Sequence, residues 1–204
     1  PARVQVVPYG ILGSSDKGAV AEEPDASTVF VDPAGLKYVR GDLAPSGAGG
    51  AAGVIYRWLG LASMPSFPEP VRAAITAPTQ AKFHAYGKAG EKKCIHVVGP
   101  DFRQKDYTRA EAVAELSEAY GNVLREFCTT GLRRLRLLPV SGGIFSGPFA
   151  SELPQLTAEA LQAGFARLRA EEQRQVLEAD IEMCIFMNAQ VEGFREAFRA
   201  MASP

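Results

Sequence analysis

The sequence predicts an α/β fold, a sheet held between layers of helices. Three observations carry that reading. Short apolar runs recur along the chain, at Thr28–Val31, Cys94–Val98, Arg133–Pro139 and Ile181–Met187. Stretches with helical spacing alternate with them, and turns containing Gly or Pro separate the two kinds. Strands that are apolar on both faces belong to a sheet covered on both sides. At 204 residues the chain is expected to form one domain spanning 1–204, long enough to bury roughly 70% of its unfolded surface.

The elements follow in order. Arg3–Val7 reads as a short strand, and Gly13–Asp25 as a polar loop without periodicity. Thr28–Val31 is a buried strand stopped by the turn residues Asp32-Pro33-Ala34-Gly35. Leu36–Pro45 reads as a connecting loop. The next helix, about Ala51 to Leu61, places Val54, Ile55, Trp58 and Leu59 at one-turn spacing. Prolines 65, 68 and 70 interrupt the chain before a short helix from about Glu69 to Ile75. Gln80–Ala85 and Cys94–Val98 read as strands, the second ended by Gly99-Pro100.

Arg109–Phe127 is the clearest helix, with Val113, Leu116, Tyr120, Val123, Leu124 and Phe127 in one stripe. Arg133–Pro139 is a strand that turns apolar as it enters the core. Leu153–Arg169 is a second amphipathic helix, with the polar run Glu171–Gln175 at or past its end. Ile181–Met187 reads as an inner strand, and Val191–Met201 closes the chain as a helix.

Composition narrows the function classes. A net charge of −1, with 47% hydrophobic and 22% charged residues, is ordinary for a globular protein and gives no whole-protein field for nucleic acid. The local exception is Arg133, Arg134 and Arg136, a candidate RNA-binding patch. Three scattered cysteines, Cys94, Cys128 and Cys184, point to a reducing compartment. No 18-residue apolar run and no signal peptide is visible, so a soluble cytoplasmic monomer is expected, with no membrane contact. The first residue is Pro1, which suggests a piece cut from a larger polypeptide. His96 sits mid-strand and reads as a hydrogen-bonded structural histidine; His84, near a strand end, has no evident partner. Asp32 and Asp42 read as turn or capping residues. No metal-ligand spacing occurs, and no metal or cofactor is expected.

Two stretches offer chemistry. Ser46–Gly60, SGAGGAAGVIYRWLG, runs a glycine-rich loop into a helix. Such a loop lets backbone N–H groups approach a ligand, and the helix dipole favours an anion there. Val140–Pro148, VSGGIFSGP, follows a strand whose carboxyl end is where open α/β sheets bind ligands. The N–H groups of Gly142, Gly143 and Ile144 form a candidate anion nest, and Phe145 a candidate stacking face. Both stretches point to phosphate or pyrophosphate.

These residues resemble a macrodomain, the ADP-ribose-binding α/β/α sandwich, over nearly the whole chain and in order. CIHVVGP (Cys94–Pro100) is very close to the family's VIHTVGP strand. LLPVSGGIFSGP (Leu137–Pro148) is similar to its second phosphate loop, P-x-I-S-T-G-V-Y-G-x-P. Gly47–Gly60 resembles the GGGV…GAIHRAAG loop and helix, and Thr28–Gly35 stands where the family has a strand and its NAAN motif. IYRW together with SGGIFSG looks more like viral replicase macrodomains than bacterial ones.

The resemblance implies a three-layer sandwich on a mixed six- or seven-stranded sheet, with a diphosphate between the two glycine loops. It implies ligand contacts from Gly47, Gly49, Gly50 and Ala51, from Ser141, Gly142, Gly143, Ile144 and Phe145, and from Ile11 and Asn188 beside the adenine. It also exposes departures. Gly10 stands where members usually carry an adenine-binding aspartate, and Gly35 where they carry a ribose-binding asparagine. Ala52 stands where some hydrolytic members have an acid, and Tyr56 replaces the histidine of GAIH. The expected function is binding of ADP-ribose or ADP-ribosylated protein as a reader. Hydrolytic removal of ADP-ribose from acidic side chains is the first alternative, and an RNA or protein interaction module the second.

Overall fold

The computed structural model describes residues 4–202; Arg3, expected in the first strand, lies outside them. Six strands form one mixed sheet in the order β1-β8-β7-β4-β6-β5. They are β1 (Val4–Val7), β4 (Thr28–Pro33), β5 (Ala81–Tyr86), β6 (Lys92–Val97), β7 (Arg134–Leu137) and β8 (Asp180–Cys184). A two-stranded hairpin, β2 (Ser14–Ser15) with β3 (Gly18–Ala19), stands apart inside the stretch read as a polar loop. Every neighbouring pair in the main sheet is parallel except β5 with β6. The five parallel strands therefore present their carboxyl ends along one edge.

Helices cover both faces. They are α1 (Leu36–Arg40), α2 (Gly50–Leu59), α3 (Glu69–Ala74), α4 (Arg109–Thr129), α5 (Leu153–Ala166), α6 (Ala170–Leu177) and α7 (Val191–Ala202). One core packs Val29, Val31, Ile95, Val97, Leu135 and Met183 under α4, α5 and α7. The other packs Phe30, Cys94, Val7 and Cys184 with Val39, Ile55, Tyr56 and Val71 of α1 to α3. Alternation along each strand sends successive side chains to opposite cores.

Three expectations need correction. Leu36–Pro45 is not all loop: residues 36–40 form α1, closed by Gly41 in the left-handed conformation at φ 88°. The helix read as Leu153–Arg169 ends at Ala166, and the polar run Glu171–Gln175, past its end as expected, forms the separate α6, at whose start Glu172 accepts from the Arg169 N–H. In α2 the buried face is Ile55, Tyr56 and Leu59, while Val54 is 45% exposed. The helix also ends at Leu59, because Gly60 turns left-handed at φ 79°.

Each arginine of the candidate basic patch has an acidic partner. Arg133 pairs with Glu178, Arg134 with Asp25, and Arg136 with Glu182 at 2.8 Å. Arg136 is buried, donates to the carbonyls of Ile11 and Glu22, and lies over the Tyr9 ring. It thereby fastens the chain after β1 to β7.

Candidate functional site

The two glycine loops lie on adjacent strands. Loop 1 follows β4 through α1 and ends at α2; loop 2 follows β7, which is hydrogen-bonded to β4. Loop 1 is set by close packing. A 3-10 turn at Pro45–Gly47 leads to Ala48, which is buried, and then to Gly49 and Gly50, which are exposed. Gly49 is the N-cap of α2 and supplies no side chain to it. The first N–H groups of a helix have no partner within it. Here that leaves Gly50, Ala51 and Ala52, since the first return bond runs from Gly53 N–H to the Gly49 carbonyl at 3.0 Å. Nothing lies within 4 Å of where a Cβ would stand on Gly49 or Gly50, so open space surrounds these donors.

Loop 1 is held from both sides. Tyr38 of α1 donates its hydroxyl to the Gly47 carbonyl at 3.0 Å. Its ring lies 2.9 Å from where a Cβ on Gly35 would stand, so Tyr38 occupies the space that a side chain at position 35 would take. Sequence reasoning missed Tyr38, which sits in the stretch read as loop. Below, a Cβ on Gly53 would overlap the Ala48 carbonyl. Gly53→Ala is therefore expected to lower stability by about 1–3 kcal/mol through overpacking, despite alanine's better helix propensity. Urea unfolding checks this, with Val54→Ala on the exposed side as the neutral control.

Loop 2 is a strained turn. Ser141 is non-glycine at φ 60°, a conformation L-residues disfavour by about 1–2 kcal/mol. Its buried hydroxyl donates to the Pro100 carbonyl at 2.6 Å, which joins loop 2 to the end of β6. Gly99 is required there, since a Cβ would overlap Ser141 Oγ. The Gly142 N–H is spent on the Pro139 carbonyl at 3.2 Å, so it is not part of an anion nest as expected. The open donors are Gly143 and Ile144, the first residues of a 3-10 segment running to Glu152. Gly143, at φ 60°, has open space where a Cβ would be, and Ile144 is 74% exposed. Phe145 is half-buried: its carbonyl accepts from Phe102, and Arg103 stacks on its ring at 5.1 Å. Arg103 itself forms a two-pronged pair with Asp101.

The remaining sequence-predicted residues lie at the ends of β1 and β8. Ile11 is buried in the core, and its carbonyl accepts from Arg136. Asn188 turns its side-chain amide to Asp16 at 2.5 Å. Phe186 and Met187, beside it, are 48% and 45% exposed.

Beneath the loops lies a polar cluster that sequence reasoning did not assemble. Asp32 is fully buried and neither turn nor cap: its Oδ2 lies 2.7 Å from His96 Nδ1. His96 Nε2 lies 2.7 Å from the Tyr86 hydroxyl. The β4–β6 register sets Asp32 opposite His96, whereas Tyr86 pairs with Lys92 and reaches His96 along the sheet through its side chain. Cys94 Sγ is 3.8 Å from His96 Nδ1. Burial pushes the Asp32 carboxyl above the ordinary carboxylate range, against the opposing pull of His96. Burial and the nearby carboxylate push the Tyr56 hydroxyl well up; it neighbours Asp32 without reaching hydrogen-bond geometry. His96 is buried and hydrogen-bonded through both ring nitrogens. His84 lies within β5 and stacks edge-on against Tyr86, and burial lowers its pKa.

The family model described as Macro domain matches residues 45–154, more than half of the chain and inclusive of both glycine loops. Among curated proteins there is no match. Solved structures with the same fold include an alphavirus P23pro-zbd chain (TM-score 0.64, 18% identity), which covers all of this chain but of which this chain spans only 24%. An Oceanobacillus iheyensis macrodomain with ADP has a TM-score of 0.61 at 16% identity, covering 97% of this chain and 90% of its own. A Trypanosoma brucei macrodomain in complex with ADP-ribose has a TM-score of 0.54 at 15% identity, covering 98% and 69%. At these identities the likeness is one of fold.

Proposed function

The chain belongs to the Macro domain family, and from that premise we propose that it binds ADP-ribose, or a related nucleotide diphosphate, as a reader of ADP-ribosylation, with 1–204 acting as one unit. The observation that carries this is the pair of uncapped backbone donor sets, Gly50–Ala52 and Gly143–Ile144, after adjacent strands with open space over their glycines. Main-chain N–H groups and a helix N-terminus suit a diphosphate, whose charge needs donors and not a particular side chain. That explains how a phosphate cradle persists with Gly10 and Gly35 at positions where a side chain is usual for the family. ADP and ADP-ribose in the related bacterial and trypanosomal structures support the same ligand class.

Both loops offer backbone groups where an acid–base pair would be needed for hydrolysis, and the titratable cluster of Asp32 and His96 is buried below them. Binding is therefore the reading we favour. Among the described residues no helix is long and apolar enough to cross a membrane. Cys94, Cys128 and Cys184 are free thiols, which suits a reducing compartment such as the cytoplasm.

The test is calorimetric titration of ADP-ribose against ADP and AMP. The expected result is micromolar binding of ADP-ribose, with AMP weaker because it lacks the second phosphate. Equal affinity for AMP and ADP-ribose would remove the diphosphate cradle as the site of recognition.

A further inference from the structure

We propose that Tyr120 of α4, which belongs to neither glycine loop, is the residue that positions loop 2, its hydroxyl setting where the open N–H groups of Gly143 and Ile144 stand. This rests on the ADP-ribose reading above and adds a positioning residue to it.

The chain leaves β7 at Leu137 and turns after Pro139 into loop 2. Proline has no N–H with which to tie that turn to a neighbour. The backbone groups on either side of it, the Leu138 carbonyl and the Val140 N–H, belong to buried residues and need partners. Both find the same atom. Tyr120 Oη donates to the Leu138 carbonyl at 3.2 Å and accepts from the Val140 N–H at 3.0 Å. One hydroxyl can do both at once. Pro139 is therefore bracketed by a single side chain. Loop 2 hangs from that proline: the Gly142 N–H returns to the Pro139 carbonyl at 3.2 Å, and Gly143 follows at φ 60°.

Tyr120 is itself fixed. α4 and α5 meet backbone to backbone at Gly164, where an added Cβ would stand 2.6 Å from the Ser117 carbonyl oxygen and 3.3 Å from Tyr120 Cβ. Glycine is what permits that approach. α5 continues directly from the 3-10 segment that begins at Gly143, so the α4–α5 pair holds loop 2 at both ends. Burial pushes the Tyr120 phenol above its ordinary pKa, while the Val140 N–H and the Thr157 hydroxyl of α5 pull the other way. The phenol is thus protonated at neutral pH and keeps the hydrogen that it donates. Its ring lies in the apolar core that includes Leu116, Val123 and Leu156, a role that phenylalanine fills equally. Tyr120→Phe therefore isolates the hydroxyl.

Nuclear magnetic resonance on the ligand-free proteins and calorimetry with ADP-ribose compare wild type, Tyr120→Phe and Phe194→Leu. Phe194 is a buried residue of α7, outside both loops, and serves as the stability control, with thermal midpoints measured for all three. Tyr120→Phe is expected to move the amide resonances of Val140, Gly143 and Ile144 and to weaken ADP-ribose binding about tenfold, the effect of one lost hydrogen bond. Phe194→Leu is expected to leave both as in wild type at temperatures where it is folded. Loop 2 resonances that stay in place in Tyr120→Phe, or equal losses of affinity in the two variants, overturn the assignment. A second measurement needs no variant to fold. In wild type the Val140 amide is expected to exchange with solvent as slowly as amides in the middle of α4. Exchange as fast as that of the exposed Ile144 overturns the assignment as well. Failure of wild type to bind ADP-ribose overturns the ligand reading alone, since the resonances and the exchange still decide for Tyr120.

Discussion

Asp32→Ala is expected to destabilise the protein by about 3–5 kcal/mol, whereas Asp32→Asn should change stability by no more than about 1 kcal/mol. Asp32 and His96 are both fully buried and bonded at 2.7 Å, and His96 bonds Tyr86 on its other side. Truncation leaves His96 Nδ1 with only the weak Cys94 thiol at 3.8 Å, and opens a cavity under the loops. Asparagine keeps an acceptor for the His96 N–H and removes the cost of desolvating a carboxylate. Urea unfolding at pH 7 separates the two variants; equal losses would show that the charge, not the hydrogen bond, is what the site requires.

The same residue gives a pH signature. Burial raises the folded-state pKa of Asp32 above the ordinary value of 3.8. The folded protein then holds that proton more tightly than the unfolded chain does. Its contribution is fully present below pH 3.8 and is lost as pH rises through the folded-state value. The amide of the asparagine variant does not titrate. The stability of Asp32→Asn relative to wild type should therefore increase as pH rises above about 4. A relative stability that falls over that range would mean that the His96 bond outweighs desolvation.

Much of this architecture is legible in the sequence because it is local. Helical spacing in Arg109–Phe127 and the buried run Thr28–Val31 reflect face-by-face burial within one element, and the structure keeps both. The glycine loops announce themselves through small residues placed after strands. What could not be read is set by register or by approach between distant segments. Asp32 meets His96 across 64 residues only because β4 and β6 pair with that register. Arg136 reads as a surface cation until the chain after β1 folds over it and Glu182 comes from β8. α1 has five residues, too few to show a period, and its boundaries are written in Gly35 and Gly41. Asp16 with Asn188 is a contact between distant segments, for which no periodic signal exists, and Tyr38 meets Gly47 only because α1 turns it back toward loop 1.

Gly49→Asp is expected to make the protein more stable and nearly unable to bind ADP-ribose. Gly49 is the N-cap of α2 and has extended backbone angles, φ −109° and ψ −177°, that any residue adopts without strain. Space above it is open. Aspartate at an N-cap accepts from the N–H groups one turn in and answers the helix dipole, which should add a few tenths to about 1 kcal/mol. Those N–H groups are the ones proposed to take the diphosphate. The new carboxylate would satisfy them internally and set a negative charge against the ligand, so affinity should fall about a hundredfold or more, each tenfold being about 1.4 kcal/mol. Gly49→Ala is the control: it fills the same space without an acceptor, at a small cost in stability, and should retain most of the affinity. Chemical unfolding and calorimetry on the three proteins read the two effects independently. If Gly49→Asp binds as wild type does, the diphosphate does not lie on α2. If it loses binding while also losing stability, the loop has distorted and the donor argument fails. Opposite signs would show that α2 goes without a cap for the sake of the ligand, since a sequence selected for stability alone would have supplied one.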